Sequence, residues 1–305
     1  MHFNTVLTLV LATASLAACG TQPTGSQSSR SGPTIVVTTT QLGDLARAVA
    51  GDRGAVEQIL EPGTDPHAYE PRPSDLRAVA DAKLVVRSGG DVDSWLGDVL
   101  RGAGSDADAI TILDELRPRT GDPHWWQNPR NAVIAVQRIR DALIAADPRG
   151  RDAYATGAER YVTRLLALDD AIAACMRRVP RADRKLVTDH DALGAYADRY
   201  DIEVIGTVIP ALSTQAQASG GEVSRLVRTI RSAGVSTIFP ESSINQKLTR
   251  AIARDAGAKV GAALYADSLG PRGSPGATYL SSLRANTRAL VDGFTDGSQD
   301  CALPR

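Results

Sequence analysis

The 305-residue chain has little of several residue types, and each scarcity narrows what it can be. Lysine is rare: four residues against thirty arginines. The arginines are scattered without a basic run, so we read the excess as a coding bias rather than a basic patch. A net charge of −1 supplies no strong field toward nucleic acid or a membrane surface. The one extended apolar stretch, 6–18, is too short for a permanent membrane span. The catalytic signatures His-Glu-x-x-His and Gly-x-Ser-x-Gly are absent, as is the phosphate-cradling Gly-x-x-x-x-Gly-Lys. SGGD at 88–91 and SGGE at 219–222 are too short for nucleotide loops and read as turns. Cysteine numbers three and histidine four.

What is present suits a folded, exported protein. At 43% hydrophobic and 23% charged, the chain can bury a core sized for two modest domains. Residues 1–18 read as a signal peptide, and Leu16-Ala17-Ala18-Cys19 resembles a bacterial lipobox. Acylation of Cys19 would anchor the protein to the outer face of the cytoplasmic membrane. The first 29 residues carry no Lys or Arg, so the usual basic start of such a signal is missing. Residues 19–33 have the composition of a flexible tether. Export places Cys175 and Cys301 in an oxidising compartment. They are read as one disulfide tying the C-terminal tail to the body, with two free thiols as the alternative.

From Thr34 onward, strands and helices alternate. TIVVTTT, AVEQIL and KLVVRSG are strand candidates. QLGDLARAVAGD has helical spacing, and SDLRAVADA reads as a helix capped by Ser74. The pattern resumes with KLVTD, EVIGTV, STIFP and KVGAAL, separated by helical segments. Between the two runs, 151–178 reads as one long helix. The expectation is an α/β fold: an N-terminal lobe at 34–150, a linking helix at 151–180 and a C-terminal lobe at 181–305, with parallel sheets.

With His2 in the signal, the remaining histidines are His67, His124 and His190, each in a loop after or near a strand, His124 following the irregular stretch ELRPRTGDP. Ligands gather at the carboxyl ends of strands in open α/β sheets. Two of the three sit in the same tripeptide, in DPHAYEP and DPHWWQNP. The proline restrains the backbone before the imidazole. Asp65 and Asp122 are placed to accept from the second ring nitrogen, and Tyr69, Trp125 and Trp126 to exclude water. A lone loop histidine is usually solvated. Three together, two of them in a repeated motif, point to a metal site. Their wide spacing excludes a zinc finger, whose ligands come in close pairs.

These segments resemble the cluster A-I metal-binding lipoproteins, the zinc and manganese receptors of ABC importers, over 34–294. The resemblance rests on DPHAYEPRPSDLRAVADAKLVVRSGG, GDPHWWQNPRNA, VTDHDALGAYADRY and IFPESSINQKLTRAIARDAGAKVGAALYADSLG. It implies two four-stranded lobes joined by one rigid helix, with His67, His124, His190 and Asp267 as metal ligands. It also implies a monomeric receptor delivering metal to a permease and its ATPase, with no catalysis and no nucleic acid. Glu241 is the rival for the fourth position; Asp189 and Asp191 are read as supporting or solvated groups, and Glu70 and Asp75 as surface or helix-start groups. Gln127-Asn128 departs from the apolar-acid pair frequent in the family, and the long His-rich loop of many zinc receptors is absent. Three imidazoles and a carboxylate suit Zn²⁺, whereas Mn²⁺ prefers more oxygen. Manganese is therefore the alternative cargo. An exported zinc hydrolase would need an open coordination position and a base, and a surface adhesin on the same scaffold would leave little trace in sequence.

Overall fold

A computed structural model describes residues 1–2, 31–116 and 121–304. The signal peptide, Cys19 and nearly all of the tether lie outside the described residues. No helix among those described is long and apolar enough to cross a membrane.

The first half alternates as expected: β1 (Thr34–Val37), α1 (Thr40–Ala50), β2 (Ala55–Gln58), α2 (Pro73–Ala80), β3 (Leu84–Arg87), α3 (Leu96–Ala103), β4 (Asp108–Thr111) and α4 (Ile112–Glu115). The four strands form one parallel sheet in the order β2-β1-β3-β4. β1 and β3 carry Ile35, Val36, Val37, Leu84, Val85 and Val86, all buried, as central parallel strands require. β4 escaped the sequence reading because its sequence, DAIT, opens on exposed Asp108 and Ala109 at the sheet edge. The start of α2 also differs from expectation. Ser74 lies inside the helix, Arg72 is the cap and Pro73 takes the first helical position. Proline is suited to that position because its fixed φ is helical and its missing N–H has no partner to lose. Asp75 accepts the Arg72 N–H at 2.7 Å.

α5 (Pro129–Ala146) and α6 (Arg151–Arg178) follow, and α6 is the single long helix expected from its sequence. It packs on α1 and α5 with Tyr154, Leu165, Leu168 and Ile172 fully or almost fully buried. Gly157 permits the close approach to α1: a Cβ there would lie 2.7 Å from the Val49 carbonyl oxygen. The buried carboxylate of Asp169 receives Arg130, Arg199 and Tyr200, joining α6 to segments on both sides.

The second half runs β5 (Lys185–Thr188), α7 (Gly194–Tyr200), β6 (Glu203–Thr207), α8 (Gly220–Ala233), β7 (Thr237–Ile238), α9 (Lys247–Ala256), β8 (Lys259–Val260) and α10 (Tyr279–Thr295). The resemblance implied a four-stranded sheet here. The structure has two parallel pairs, β5-β6 and β7-β8, joined by a single bridge between Thr188 and Phe239. Pro240 cuts β7 short, since it has no N–H for the ladder. SGGE is a helix start rather than a turn: Ser219 and Glu222 form a capping box on α8. Cys175, near the end of α6, is disulfide-bonded to Cys301, with Cα atoms 5.6 Å apart.

Candidate metal centre

The three histidines reach one point from different elements. His67 lies in a short 3-10 turn after β2, and Asp65 caps that turn by accepting the His67 N–H at 3.0 Å. The other Asp65 oxygen accepts from Thr214, in the second half of the chain, at 2.7 Å. Asp65 thus fixes the backbone of the turn and does not hold the imidazole, contrary to expectation. The Nδ1 atom of His67 instead lies 3.4 Å from Asp91, outside hydrogen-bonding geometry. In the sequence SGGD reads as a turn and nothing more. Gly89 and Gly90, both at positive φ, supply that turn, and it also carries Asp91 to His67.

Asp122 accepts both the backbone N–H of His124, at 2.9 Å, and its Nδ1–H, at 2.8 Å. The same Asp-Pro-His tripeptide thus gives two different outcomes. Trp126 is buried with its ring centroid 5.4 Å from that of His124. Trp125 is buried too, its indole N–H donating to Ser88 at 2.8 Å. Tyr69 serves elsewhere, its ring tilted against that of Trp95 with centroids 5.0 Å apart and its hydroxyl donating to Asp75. His190 follows β5 directly. Glu241 Oε1 lies 2.7 Å from its Nδ1 and 3.0 Å from its backbone nitrogen. Glu241 therefore orients His190 and is not among the four residues that converge. Asp189 accepts the Glu241 N–H at 2.6 Å and receives the Thr249 hydroxyl. Burial beside Glu241 pushes its carboxyl up to about 7. Asp191 and Glu70 are exposed, while Asp75 is buried at the start of α2.

Asp267 arrives on the segment after Leu264, and this segment is tied to the first half. The Trp126 indole and the Gln127 amide both donate to the Ala266 carbonyl, at 2.8 and 2.7 Å. Thr40 accepts from Leu269 N–H at 2.9 Å, and Gly63 N–H donates to Ser268 at 2.8 Å. Gln127, a departure from the family pattern, is thus one of the anchors for the Asp267 segment. Asn128 caps α5.

The four candidate ligand atoms lie within 4.8 Å of one another. The Nε2 atoms of His67 and His124 are 3.4 Å apart. Asp267 oxygens lie 3.4, 3.4 and 3.1 Å from Nε2 of His67, His124 and His190. A tetrahedron of zinc–ligand bonds has an edge of about 3.3–3.4 Å. His124, His190 and Asp267 are buried. Among the described residues, His190 Nε2 and both Asp267 oxygens have no hydrogen-bond partner. Orphaned buried polar atoms are costly unless a ligand completes them, and three imidazoles facing a carboxylate make the donor set for a transition metal.

The electrostatics agree. Burial alone would lower the histidine pKa values, but contact with Asp267 and Asp91 outweighs it and pushes His67 up to about 9. Glu241 and Asp267 likewise outweigh burial and push His190 up to about 11. Burial would raise Asp267, but the facing histidines hold it well below the usual carboxylate range. The cluster favours positive charge at its centre.

Comparison with known proteins agrees with this architecture. The family described as zinc-uptake complex component A, periplasmic, matches residues 35–293. The manganese-binding lipoprotein MntA of Halalkalibacterium halodurans is 30% identical, covering 92% of this chain and 94% of its own. The iron-binding protein YfeA of Yersinia pestis is 29% identical over 85% of this chain and 86% of its own. The periplasmic zinc-binding protein TroA of Treponema pallidum superposes with a TM-score of 0.81 at 23% identity, covering 86% and 99% of the two chains. The chain belongs to the zinc-uptake component A family, the extracytoplasmic substrate-binding receptors of metal ABC importers rather than enzymes.

Proposed function

We propose that this receptor captures one divalent transition metal, zinc by preference, through His67, His124, His190 and Asp267. It then passes the ion to a membrane permease driven by an ATPase. The observation that carries this is the convergence of the four ligand atoms to within 4.8 Å of one another, with Asp267 oxygens 3.1–3.4 Å from all three Nε2 atoms. We further propose that the protein works as a monomer held to the membrane by acylated Cys19, with lobes at 34–150 and 181–305 joined by the helix at 151–180.

Manganese is the second reading, and one observation favours it. Among the described residues neither Asp267 oxygen has a hydrogen-bond partner, so the carboxylate can bind through both and add a fifth contact, from oxygen. Competition titration with Zn²⁺ and Mn²⁺ against a calibrated chelator tests the choice. Zinc retained under excess manganese supports the first reading; displacement by manganese supports the second. No binding of either ion removes both.

A further inference from the structure

Each imidazole of the cluster is backed by a carboxylate, but not in the same way. One oxygen of Asp122 accepts both the backbone N–H and the Nδ1–H of His124, and one oxygen of Glu241 stands to His190 in the same relation. At His67 the two tasks are divided. Asp65 accepts the backbone N–H with one oxygen and the Thr214 hydroxyl with the other, so both its oxygens are engaged away from the ring. The ring nitrogen Nδ1 faces Asp91 instead, at 3.4 Å. Among the described residues, His67 Nδ1 has no hydrogen-bond partner, although the side chain is almost wholly buried. A buried ring N–H left unpaired is costly. Asp91 needs to move by only about half an ångström to accept it.

The turn that carries Asp91 holds its backbone still and leaves its side chain room to move. Gly89 and Gly90 both have positive φ, and a Cβ on Gly90 would lie 2.7 Å from the Cβ of Pro123, the residue before His124. On the other side of Asp91, Val92 is buried. Asp93 accepts the Thr38 hydroxyl at 2.7 Å and the N–H groups of Ser88 and Gly89 at 2.6 and 3.0 Å. Between these anchors the Asp91 side chain is 47% exposed, against 18% for Asp122 and 0% for Glu241. Of the three imidazole–carboxylate pairs, the one at His67 is thus the one that solvent reaches most.

We propose that Asp91 is the positioning residue for His67: it closes on Nδ1 when a cation binds Nε2, holds the imidazole over the ion, and so slows release of the metal. This rests on the reading of His67 as a metal ligand. A cation on Nε2 draws electron density from the ring and makes Nδ1–H a stronger donor, so an ionised acceptor gains most at that moment. The carboxylate contacts behind His124 and His190 are already made, at 2.8 and 2.7 Å, and the one behind His67 is completed by the ion. Because Asp91 is half exposed, its bond is more easily exchanged for water than the buried one at Glu241. His67 is then the ligand through which the ion leaves, and Asp91 sets how readily it does so.

The test uses the full chain and Zn²⁺ alone, reading affinity by chelator competition and release by stopped-flow transfer to excess chelator. Asp91→Ala should weaken affinity by about 10- to 100-fold, with the change in the release rate rather than in association. Asp91→Asn keeps a carbonyl oxygen for Nδ1–H and should lose less. Both effects should persist in about 0.5 M NaCl, where attraction between an exposed carboxylate and an approaching cation is largely screened. Added to His67→Ala, Asp91→Ala should cost nothing further. In zinc-loaded protein labelled with ¹⁵N-histidine, Asp91→Ala should shift the Nδ1–H resonance of one imidazole and leave the other two in place. Unchanged affinity and release in Asp91→Ala overturn the proposal. So does a loss confined to association and removed by salt, an equal loss on the His67→Ala background, or movement of all three resonances together. Full zinc affinity in His67→Ala would instead overturn the ligand reading, whereas loss there beside an unaffected Asp91→Ala overturns this proposal alone.

Discussion

Glu241 Oε1 lies 2.7 Å from Nδ1 of His190, and both side chains are fully buried. A carboxylate there keeps the proton on Nδ1, so that Nε2 can offer its lone pair to an ion held between the four ligands. Glu241→Gln should therefore lower zinc affinity by about 10- to 100-fold, the usual cost of losing such a partner. The measurement is competition titration, with circular dichroism to verify the fold. Unchanged affinity would show that His190 needs no such support.

Metal uptake should release protons and strengthen with pH. His67 is pushed up to about 9 and His190 up to about 11, so the metal-free site holds protons at neutral pH that a cation must displace. Affinity should thus fall on acidification and keep rising above pH 7 rather than levelling near the ordinary histidine pKa of about 6.5. Calorimetry in buffers of different ionisation enthalpy should show release of about two protons per metal at pH 7. The same raised values make protonated His67 and His190 stabilise the metal-free fold. That stabilisation is fully present below about 6.5 and is lost as pH rises through about 9 to 11. Zinc-loaded protein should not show that alkaline loss.

Asp169 tests the helix that joins the halves. Its fully buried carboxylate accepts from Arg199 at 2.6 and 2.9 Å, from Arg130 at 2.9 Å and from Tyr200 at 3.0 Å. Asp169→Ala leaves the buried Tyr200 hydroxyl without that acceptor, while the partly exposed arginines can rehydrate. The expected cost is about 2 kcal/mol, read by urea unfolding of metal-free protein. A change below about 0.5 kcal/mol would mean that the cluster contributes little.

The Cys175–Cys301 bridge closes a loop of 126 residues. Cys301→Ser should destabilise the oxidised protein by about 2–4 kcal/mol, chiefly by freeing the unfolded chain. The metal centre uses no residue of the tail, so zinc stoichiometry should stay the same. Equal denaturation midpoints for variant and wild type would count against a stabilising bridge.

How far the sequence could be read depended on where the physics was local. β1, β3 and α6 were legible because unbroken β-branched runs and sustained three-to-four spacing encode them directly. Edge strand β4 was not, because exposed Asp108 and Ala109 give it no apolar pattern. The convergence of His67, His124 and His190 could be anticipated from the repeated Asp-Pro-His and from His67 and His190 standing after strands. Their partners could not: Asp122 reaches its imidazole while Asp65, in the same tripeptide, reaches Thr214 across the molecule. Glu241 drew attention as an acid beyond a strand, but only tertiary packing sets it behind His190. The capping box of α8 is local, since Ser219 and Glu222 stand three apart in SGGE, but the glycine pair between them reads equally as a turn.

The most direct test is X-ray absorption at the zinc edge on protein loaded with one equivalent of Zn²⁺. Four nitrogen or oxygen neighbours at about 2.0–2.2 Å, with the outer-shell scattering of three imidazoles, are expected. Loss of one imidazole in His190→Ala should follow. A first shell without imidazole scattering, or one unchanged in His190→Ala, would contradict the assignment of the site.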